Sequence, residues 1–465
     1  MKIEVDKQGI EIEMFVTEHN TTTLNSRIMD TARTEFSMNV FEDIYYDDGK
    51  PEFPSKPYSS LGYLYRHIRN IIRECIEISR NKQWDLITIG TYPFGSDRVF
   101  ASGHIHTSIK KENGANLNET ELSEIRKRLY NAQPLIACLS QNAPIHKATP
   151  YCKDTRLAFS RWARFTEYDD RENSHYLALA LNRPRDIATI EVRIPSSSFP
   201  QQLIAVANVI RVILNNEENP VQIDFTKELW NRVINYGAQA IYPIKVPYKI
   251  DYCGIKYKKV QIPLYLLMKM FLEEYKEQIK QGLSGLPARI KQQIFEFYNT
   301  IAEGYTVSDY VLEYWKTLTN KEYIHQYYRE LTESGYIREE PIWITQDKPK
   351  NILAPKIETK LTFEELIEIS RQLEENSCKI NEDIADLGEF LVSRSSSTKR
   401  IIANILAYIN NSESVDYEHI LRYISRGLLE DLAMHQIIRI DYTHNKVLKD
   451  KYFYTAIQML EDYYW

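Results

Sequence analysis

The stretch GIEIEMF, residues 9–15, decides the fold predicted for this chain. In a β-strand successive side chains point to opposite faces, so Ile10, Ile12 and Met14 would share one face while Glu11 and Glu13 share the other. The apolar face indicates a strand that packs on a core. Two carboxylates about 4 Å apart repel each other by roughly 4 kcal/mol at an effective dielectric constant near 20, so the other face needs cations.

The same alternation occurs in two further stretches. In GHIHTS, 103–108, His104 and His106 share a face, and in ATIEVRI, 188–194, Glu191 and Arg193 share a face opposite apolar residues. One E-x-E or H-x-H pattern alone is typical of a solvated strand. Three together predict an antiparallel sheet with helices on its apolar side and a substrate site on the other.

Amphipathic helices are predicted between the strands. Residues 59–81 carry apolar side chains at three- and four-residue spacing, and 119–140 and 200–215 also read as helices. WDLITIGTYPF, which begins at Trp84, is predicted to be a strand beside the H-x-H strand. The expected fold class is therefore α+β.

The second half of the chain is mainly helical. Residues 322–345 and 428–455 resemble each other, and each predicts a helix followed by two short strands. A winged helix and a helical hairpin with a β-ribbon both fit this pattern. The polar segment 344–356, which contains two prolines, is a predicted domain boundary.

Bulk composition limits the class of protein. The 465 residues carry a net charge of −6, are 43% hydrophobic and include five scattered cysteines without a C-x-x-C pair. The charge argues against nucleic acid as a partner, and the cysteines favour reduced thiols over a disulfide framework. No signal peptide and no apolar run of ~18 residues is visible, so we expect a soluble, cytoplasmic protein without a membrane partner.

The polar strand faces predict a divalent metal site. Carboxylates with an imidazole and no thiolate suit Mg²⁺ or Mn²⁺ better than Zn²⁺. Glu35 and Glu42 stand seven residues apart in TEFSMNVFEDI, a spacing that sends them to opposite faces of one strand. They converge only through a helix, a bulge or a turn.

The order of the motifs is informative. It runs E-x-E, two Glu seven apart, G-T-x-P-F, H-x-H, N-x-P, a following Arg and T-I-E-x-R, over roughly residues 8–200. This order resembles the glutamate-cysteine ligase family of the glutamine synthetase superfamily. The resemblance implies a glutamine synthetase-like sheet that lines an active-site funnel. The change to long helices after residue 220 and the boundary at 344–356 further divide the chain into a catalytic domain at 1–220, a helical, possibly winged-helix, extension at 221–350 and a helical or winged-helix domain at 351–465.

The resemblance also implies roles for single residues. His106 matches the histidine on the nucleotide side, and Arg193 matches the arginine that faces the transferred phosphate. Arg156 matches the arginine near the acid substrate, with Arg161 as a competing match. The positions at which the family holds its divalent metals are matched by Glu11, Glu13, Glu35, Glu42, His104 and Glu191.

Three departures from the family's pattern concern the substrate side. The chain has GTYPF where the family has G-T-H-P-F, QNAP where it has A-N-S-P, and PSSS where an acidic residue usually follows the E-x-R arginine. Metal and phosphate positions are kept, so the implied chemistry transfers while the substrates do not.

The implied activity is an ATP-dependent carboxylate–amine ligase that works through an acyl phosphate, with ATP and Mg²⁺ or Mn²⁺ as cofactors and Glu191, Arg193 and Arg156 as catalytic residues. Two alternatives stay open. One is a phosphotransferase of the same fold, similar to guanidino kinases. The other is a nucleotide-sensing regulator that acts through its carboxyl-terminal winged helices. The acid, the amine, a protein partner of the carboxyl-terminal region and a homo-oligomer are not defined by the sequence.

Overall fold

The structure is a computed structural model. It describes residues 3–40, 44–47, 49–94, 99–111, 113–115, 117–160, 163, 165, 178–182, 189–216, 223, 225–251, 254–350, 365, 387, 389–412, 414–450, 452–453, 456–457 and 459–460. Contacts divide the chain into two compact units, Met1–Tyr242 with Ile262–Glu358 and Pro243–Gln261 with Thr359–Trp465. The three-part division expected from the sequence stays a prediction.

A curled antiparallel sheet of six strands forms the centre of the first unit. In spatial order its strands are β3 (Tyr45–Asp47), β4 (Lys50–Pro54), β1 (Ile3–Glu13), β6 (Gly103–Lys111), β10 (Thr189–Val192) and β9 (Leu179–Asn182). The three strands predicted from their alternating patterns are thus neighbours at the middle of the sheet. The predicted α+β class and the antiparallel sheet are confirmed.

One face of the sheet is apolar and covered by helices. Ile10 pairs with Ile105, and Ile105 pairs with Val192, so one buried row crosses three strands. Fully burying each such side chain contributes about 1.5–3 kcal/mol. Gln8, on the same face, donates to the carbonyl of Ala207 on the helix that follows β10. The carboxylates therefore lie on the face opposite this helix.

The amino-terminal part has five helices in its described residues, of which the second, third and fifth were predicted from the sequence pattern. They are α1 (Ser26–Val40), α2 (Leu61–Asn81), α3 (Glu119–Ser140), α4 (Thr155–Phe159) and α5 (Pro200–Asn215). Ser60 caps α2 by accepting a hydrogen bond from Gly62 N. The apolar residues of α2 that the pattern singled out, from Leu61 to Cys75, are buried in the structure.

Three short pairs of strands lie outside the main sheet. They are β2 (Phe15–Glu18) with β5 (Trp84–Ile87), β7 (Ile145–His146) with β8 (Thr149–Pro150), and β11 (Ile241–Asp251) with β12 (Gly254–Pro263). The predicted pairing of WDLITIGTYPF with the H-x-H segment is found only at its end, where Thr91 forms an antiparallel bridge with Phe100 and Ala101 N donates to the carbonyl of Gly90 at 2.9 Å. β1 runs almost directly into β2, and β2 takes β5 as its partner.

The rest of the first unit is helical. Its helices are α6 (Lys227–Tyr236), α7 (Leu264–Glu274), α8 (Lys276–Gly282), α9 (Ala288–Ala302), α10 (Val307–Thr317), α11 (Ile324–Glu333) and α12 (Ile342–Thr345). The two strands predicted within 322–345 are absent from this fully described stretch. A π-helical turn, Ser334–Arg338, prolongs α11 and ends at Glu339, which has a left-handed φ of 56°.

The carboxyl-terminal unit contains the elements of a winged helix. A helix, Ser396–Asn410, precedes the short strand Val415–Asp416, and two helices, Tyr417–Ile420 and Arg426–Met434, lead into the hairpin of Ile438–Asp441 and Lys446–Lys449. The first strand pairs with the last strand of the hairpin. The helix and two strands predicted for 428–455 are thus found. No helix in the described ranges combines the length and apolar character that crossing a membrane requires.

Candidate active site

Strand register brings the predicted polar residues together. Glu11 of β1 lies directly opposite His104 of β6, and Glu191 of β10 lies opposite His106 of β6. Gly9 is the β1 partner of His106, so no side chain from β1 competes with the imidazole there. The face predicted from three separate motifs is therefore one continuous surface.

The first group consists of Glu11, His104 and Glu191. Each offers one ligand atom, and these atoms all lie within 4.8 Å of one another. His104 Nδ1 lies 3.2 Å from Glu191 Oε1 and 3.7 Å from Glu11 Oε2. Glu191 is 1% exposed. Burying a carboxylate in this way is costly unless a cation compensates it.

His106 completes the charge balance of this group. Its Nε2 lies 3.0 Å from Glu11 Oε2. Burial tends to raise the pKa of Glu11, but the hydrogen bonds of His104 and His106 outweigh it and hold the pKa well below its usual range. Burial lowers the pKa of His106, and the hydrogen bond and charge of Glu11 more than reverse this, so the pKa of His106 is raised. His106, in its protonated form, would therefore balance the charge of Glu11.

A second group lies one pleat further along β1. Glu13, Asp47 and Glu52 place carboxylate oxygens within 4.8 Å of one another, and Glu13 pairs directly with Glu52 of β4. Glu13 Oε2 accepts hydrogen bonds from Ser102 N at 2.7 Å and Ser102 Oγ at 3.0 Å. Lys50 Nζ lies 3.9 Å from the same oxygen. This group thus contains more carboxylates than the first.

Glu52 shows the effect of this crowding. Burial, and then the negative charges of Glu11, Glu13, Asp47 and Glu191, raise the pKa of Glu52 to about 8. Glu52 therefore carries a proton at neutral pH in the metal-free protein. A divalent cation would take the place of that proton.

Arg193 lies at the edge of the first group. Its Nε is 2.8 Å from Glu191 Oε1 and its Nη2 donates to Glu191 Oε2 at 3.0 Å, which is a bidentate pair. Its side chain is 14% exposed, so it is accessible from the polar face. The guanidinium is in the position predicted for it, beside the carboxylate that it follows in T-I-E-x-R.

Arg156 has a different position from the one expected. It is 1% exposed, and its two Nη atoms donate to the backbone carbonyls of Ile194 at 2.8 Å and Arg193 at 2.6 Å. Instead of facing an acid substrate, Arg156 fixes the backbone that carries Arg193. The competing residue, Arg161, lies outside the described residues.

The remaining predicted ligands are Glu35 and Glu42. Glu35 lies on α1 and forms an ion pair of 2.9 Å with Lys82, and it belongs to neither carboxylate group. The helix that carries Glu35 is one of the arrangements through which it could converge with Glu42, so that convergence stays a prediction. Glu42 lies outside the described residues.

Asp47 and Glu52 were missed by sequence analysis. Glu52 lies in the five-residue strand KPEFP, where Lys50 and Glu52 share a face, a pattern too short to stand out. The hairpin of β3 and β4 brings Asp47 beside them, since Asp47 pairs with Lys50. Only the pairing of β4 with β1 reveals that these side chains meet Glu13.

The two groups fit divalent metal ions. Their donors are carboxylate oxygens with one or two imidazole nitrogens, a set that suits Mg²⁺ or Mn²⁺. Burial, and then the neighbouring carboxylates, raise the pKa of Glu52, and a divalent cation held by this group would oppose that shift. Glu11, His104 and Glu191 would hold one ion, and Glu13, Asp47 and Glu52 a second.

Metal affinity should therefore depend on pH. Below pH 8 an ion must displace the proton of Glu52, so the affinity should fall by up to ~10-fold per pH unit as the pH drops from 8, and level off above it. Calorimetric titration of Mn²⁺ at pH 7 in buffers of different ionisation enthalpy should show about one proton released through Glu52.

The matched variant is Glu52→Gln, which should remove this proton release and weaken binding at pH 8.5 more than at pH 6.5. Equal Mn²⁺ affinity of the unmodified protein at pH 6.5 and pH 8.5 would contradict the placement of Glu52 at the metal.

Comparisons with known proteins give no match to a family model or to a curated protein sequence. Among solved structures, the chain is similar to glutamate–cysteine ligase from Francisella tularensis in complex with AMP, with 10% identity and a TM-score of 0.44 over 81% of this chain and 99% of that one.

Two further similar structures are a protein named as a synthetase and a protein named as a ligase. A bifunctional glutathione synthetase from Pasteurella multocida has 10% identity and a TM-score of 0.45, over 72% of this chain and 53% of that one. The ligase PafA, in complex with the prokaryotic ubiquitin-like protein Pup, has 11% identity and a TM-score of 0.40, over 64% and 65%. This chain thus spans less than two thirds of either protein. Because the TM-scores are below 0.5, its chemistry has to be derived from its own side chains.

Proposed function

We propose that this protein is an ATP-dependent carboxylate–amine ligase that forms an amide bond through an acyl-phosphate intermediate. The observation that carries the proposal is the pair of carboxylate groups on one sheet face with Arg193 at its edge. Glu11 and Glu13 are two residues apart on β1, a separation of about 7 Å along a strand. Two ions held by these groups are close enough to share the phosphates of one nucleotide.

The two carboxylate groups would hold the metal ions, and basic side chains beside them would contact the phosphates. Bound metal ions and ATP would supply an electrophilic γ-phosphoryl group with its negative charge partly neutralised. Glu191 holds Arg193 in place, and Arg193 would donate charge-assisted hydrogen bonds to the phosphoryl oxygens. His106 would face the nucleotide phosphates from β6. Arg156 would keep the backbone of Arg193 rigid.

The proposed reaction has two steps. A substrate carboxylate oxygen attacks the γ-phosphorus and ADP leaves, which converts a poor leaving group into phosphate. An amine nitrogen then attacks the acyl carbon, loses a proton and expels phosphate. Positioning and electrostatic stabilisation supply most of the catalysis in such a site, because no residue of the chain forms a covalent bond with the substrate.

The substrates are proposed only as classes, a small carboxylic acid and an amine. The winged-helix unit is proposed as a docking surface for a protein partner, since its described residues carry both signs of charge and offer no basic stripe for nucleic acid.

ATP turnover tests this proposal. Purified protein with Mg²⁺ or Mn²⁺ should release phosphate from ATP only when both an acid and an amine are present, in a screen of amino acids, polyamines and small carboxylates. Mass spectrometry should find a product with the mass of acid plus amine minus water. ADP with a phosphorylated product and no free phosphate would identify a phosphotransferase, and ATP binding without ADP formation in any pool would favour a sensor.

A further inference from the structure

A polar cleft of about 310 Å³ lies in the first unit, lined by residues outside both carboxylate groups. Its walls are the last turn of α2 with Arg80, the strand β5 with Asp85, the residue His19 after β2, and the helix α11 with Arg329 and Glu333. The lining balances Arg80 and Arg329 with Asp85 and Glu333, and its guanidinium and imidazole N–H groups are the donors that a ligand with negative charge would share.

Asp85 organises one wall of the cleft. Its side chain is 1% exposed, and its Oδ1 accepts a hydrogen bond from His19 Nδ1 at 2.8 Å and lies 3.5 Å from Arg329 Nη1. Arg329 Nη1 is 3.3 Å from His19 Nδ1, so the two basic side chains lie side by side. Because Nδ1 of His19 donates to Asp85, Nε2 is the other ring nitrogen, and it donates to an oxyanion when the ring carries both protons.

The second oxygen of Asp85 has a structural role. Oδ2 accepts from Asn20 N at 3.0 Å and from His325 Nε2 at 3.1 Å, and His325 Nδ1 lies 2.9 Å from the Tyr92 hydroxyl. Tyr92 and His325 are each 1% exposed, so this half of the network ties α11 to the G-T-Y-P-F turn. This half of the network does not include the side chains of His19 and Arg329, which are 41% and 22% exposed.

The opposite wall carries Arg80 in an ion pair with Glu333. Arg80 Nη2 lies 2.6 Å from Glu333 Oε2, and the Arg80 side chain is 51% exposed. Arg80 Nε also donates to Glu333 Oε1 at 3.3 Å. Because a pair this exposed contributes little to stability, an incoming anion can share or take over the guanidinium. A fork of N–H donors on each side of the cleft matches the oxygens of a phosphate or a carboxylate.

We propose that this cleft binds a small oxyanion, a phosphate monoester or a carboxylate, between His19 and Arg329 on one wall and Arg80 on the other. The site is separate from the proposed metal centre and needs neither metal nor nucleotide. Its occupancy is therefore testable whether or not the proposed ligase activity is found.

The test follows the His19 imidazole by NMR in protein that contains ¹³C-labelled histidine, in EDTA and at constant ionic strength. The His19 signal is assigned by its absence from His19→Asn. Methyl phosphate and acetate are titrated separately, and at least one should shift the His19 signal saturably, which also tells a phosphate ligand from a carboxylate ligand. A His19 signal unchanged by both anions overturns the proposal.

Three variants locate the binding. Arg329→Gln should raise the anion concentration for half saturation about tenfold or more, because a charged donor is lost. Arg80→Gln, an exposed position that leaves the fold intact, should raise it severalfold. Arg66→Gln changes another exposed arginine of α2, one that stacks on Tyr63 away from the cleft, and should leave it unchanged. Unchanged half saturation in Arg80→Gln and Arg329→Gln would overturn the proposal.

Discussion

Replacing Glu191 by glutamine should weaken Mn²⁺ binding by roughly 10²-fold or more, since even outer-shell partners of metal ligands cost 10- to 100-fold. Glu191 is buried, faces His104 and Arg193, and belongs to the first carboxylate group. Glutamine keeps the volume but removes the charge that would hold the ion. Mn²⁺ affinity by calorimetry or electron paramagnetic resonance, and acid-dependent phosphate release from ATP, should fall together.

The matched control is Glu35→Gln. Motif order assigns Glu35 to the metal, whereas in the structure Glu35 pairs with Lys82 on the surface, a contact worth about 0–1 kcal/mol. We therefore expect less than about a twofold change in Mn²⁺ affinity for this variant. If Glu35→Gln loses metal and Glu191→Gln does not, the first group is wrongly placed. Circular dichroism of both variants without metal excludes a loss of fold.

Sequence alone predicted the part of the site that depends on alternation within a strand. Glu11, His104 and Glu191 each have apolar neighbours in their own strand, and burial of those neighbours leaves the polar side chains on the other face. The register that sets Glu11 opposite His104 was not readable, because a slip of two residues would keep Ile10, Ile105 and Val192 on the buried face. The alternation of polar and apolar residues within strands therefore identified most of the side chains on this face.

Features that depend on long-range packing were not predictable. Glu52 joins Glu13 only because β4 pairs with β1, and nothing within KPEFP signals that partner. From its place in the chain Arg156 was predicted to lie near the acid substrate, but its guanidinium donates to two backbone carbonyls. In both cases the deciding contact comes from residues about 40 positions away in sequence.

The strands predicted within 322–345 do not form, and the reason is local. Trp343 between two isoleucines has the composition of a strand. In the structure Pro341 precedes a short helix there, Ile342 is buried, and Trp343 Nε1 donates to the carbonyl of Gln293 on α9. Helix packing thus buries the same apolar side chains that a β-ribbon would have buried. The similar stretch at 428–455 does form its hairpin, because the strand Val415–Asp416 pairs with it.

Arg193→Lys should reduce turnover by roughly 10²-fold or more while nucleotide affinity changes little, the scale seen when one preorganised oxyanion donor is lost. Lysine keeps the positive charge but not the planar pair of donors that Arg193 presents to Glu191. Glu191 would hold both the metal ion and the guanidinium, and Arg193 would donate to the phosphates where charge develops. Acid-dependent phosphate release and ATP affinity, measured side by side, separate this role from simple nucleotide binding.

Arg232→Lys is the matched control, because Arg232 also pairs with a glutamate on its own element, Glu228 at 2.6 Å, but on the surface helix α6. Losing that pair should change turnover less than about twofold. A purely structural pairing of Arg193 with Glu191 predicts that Arg193→Lys resembles Arg232→Lys in turnover, and that result would remove Arg193 from the mechanism. A sensor predicts instead that Arg193→Lys lowers ATP affinity and that the unmodified protein has no turnover to lose.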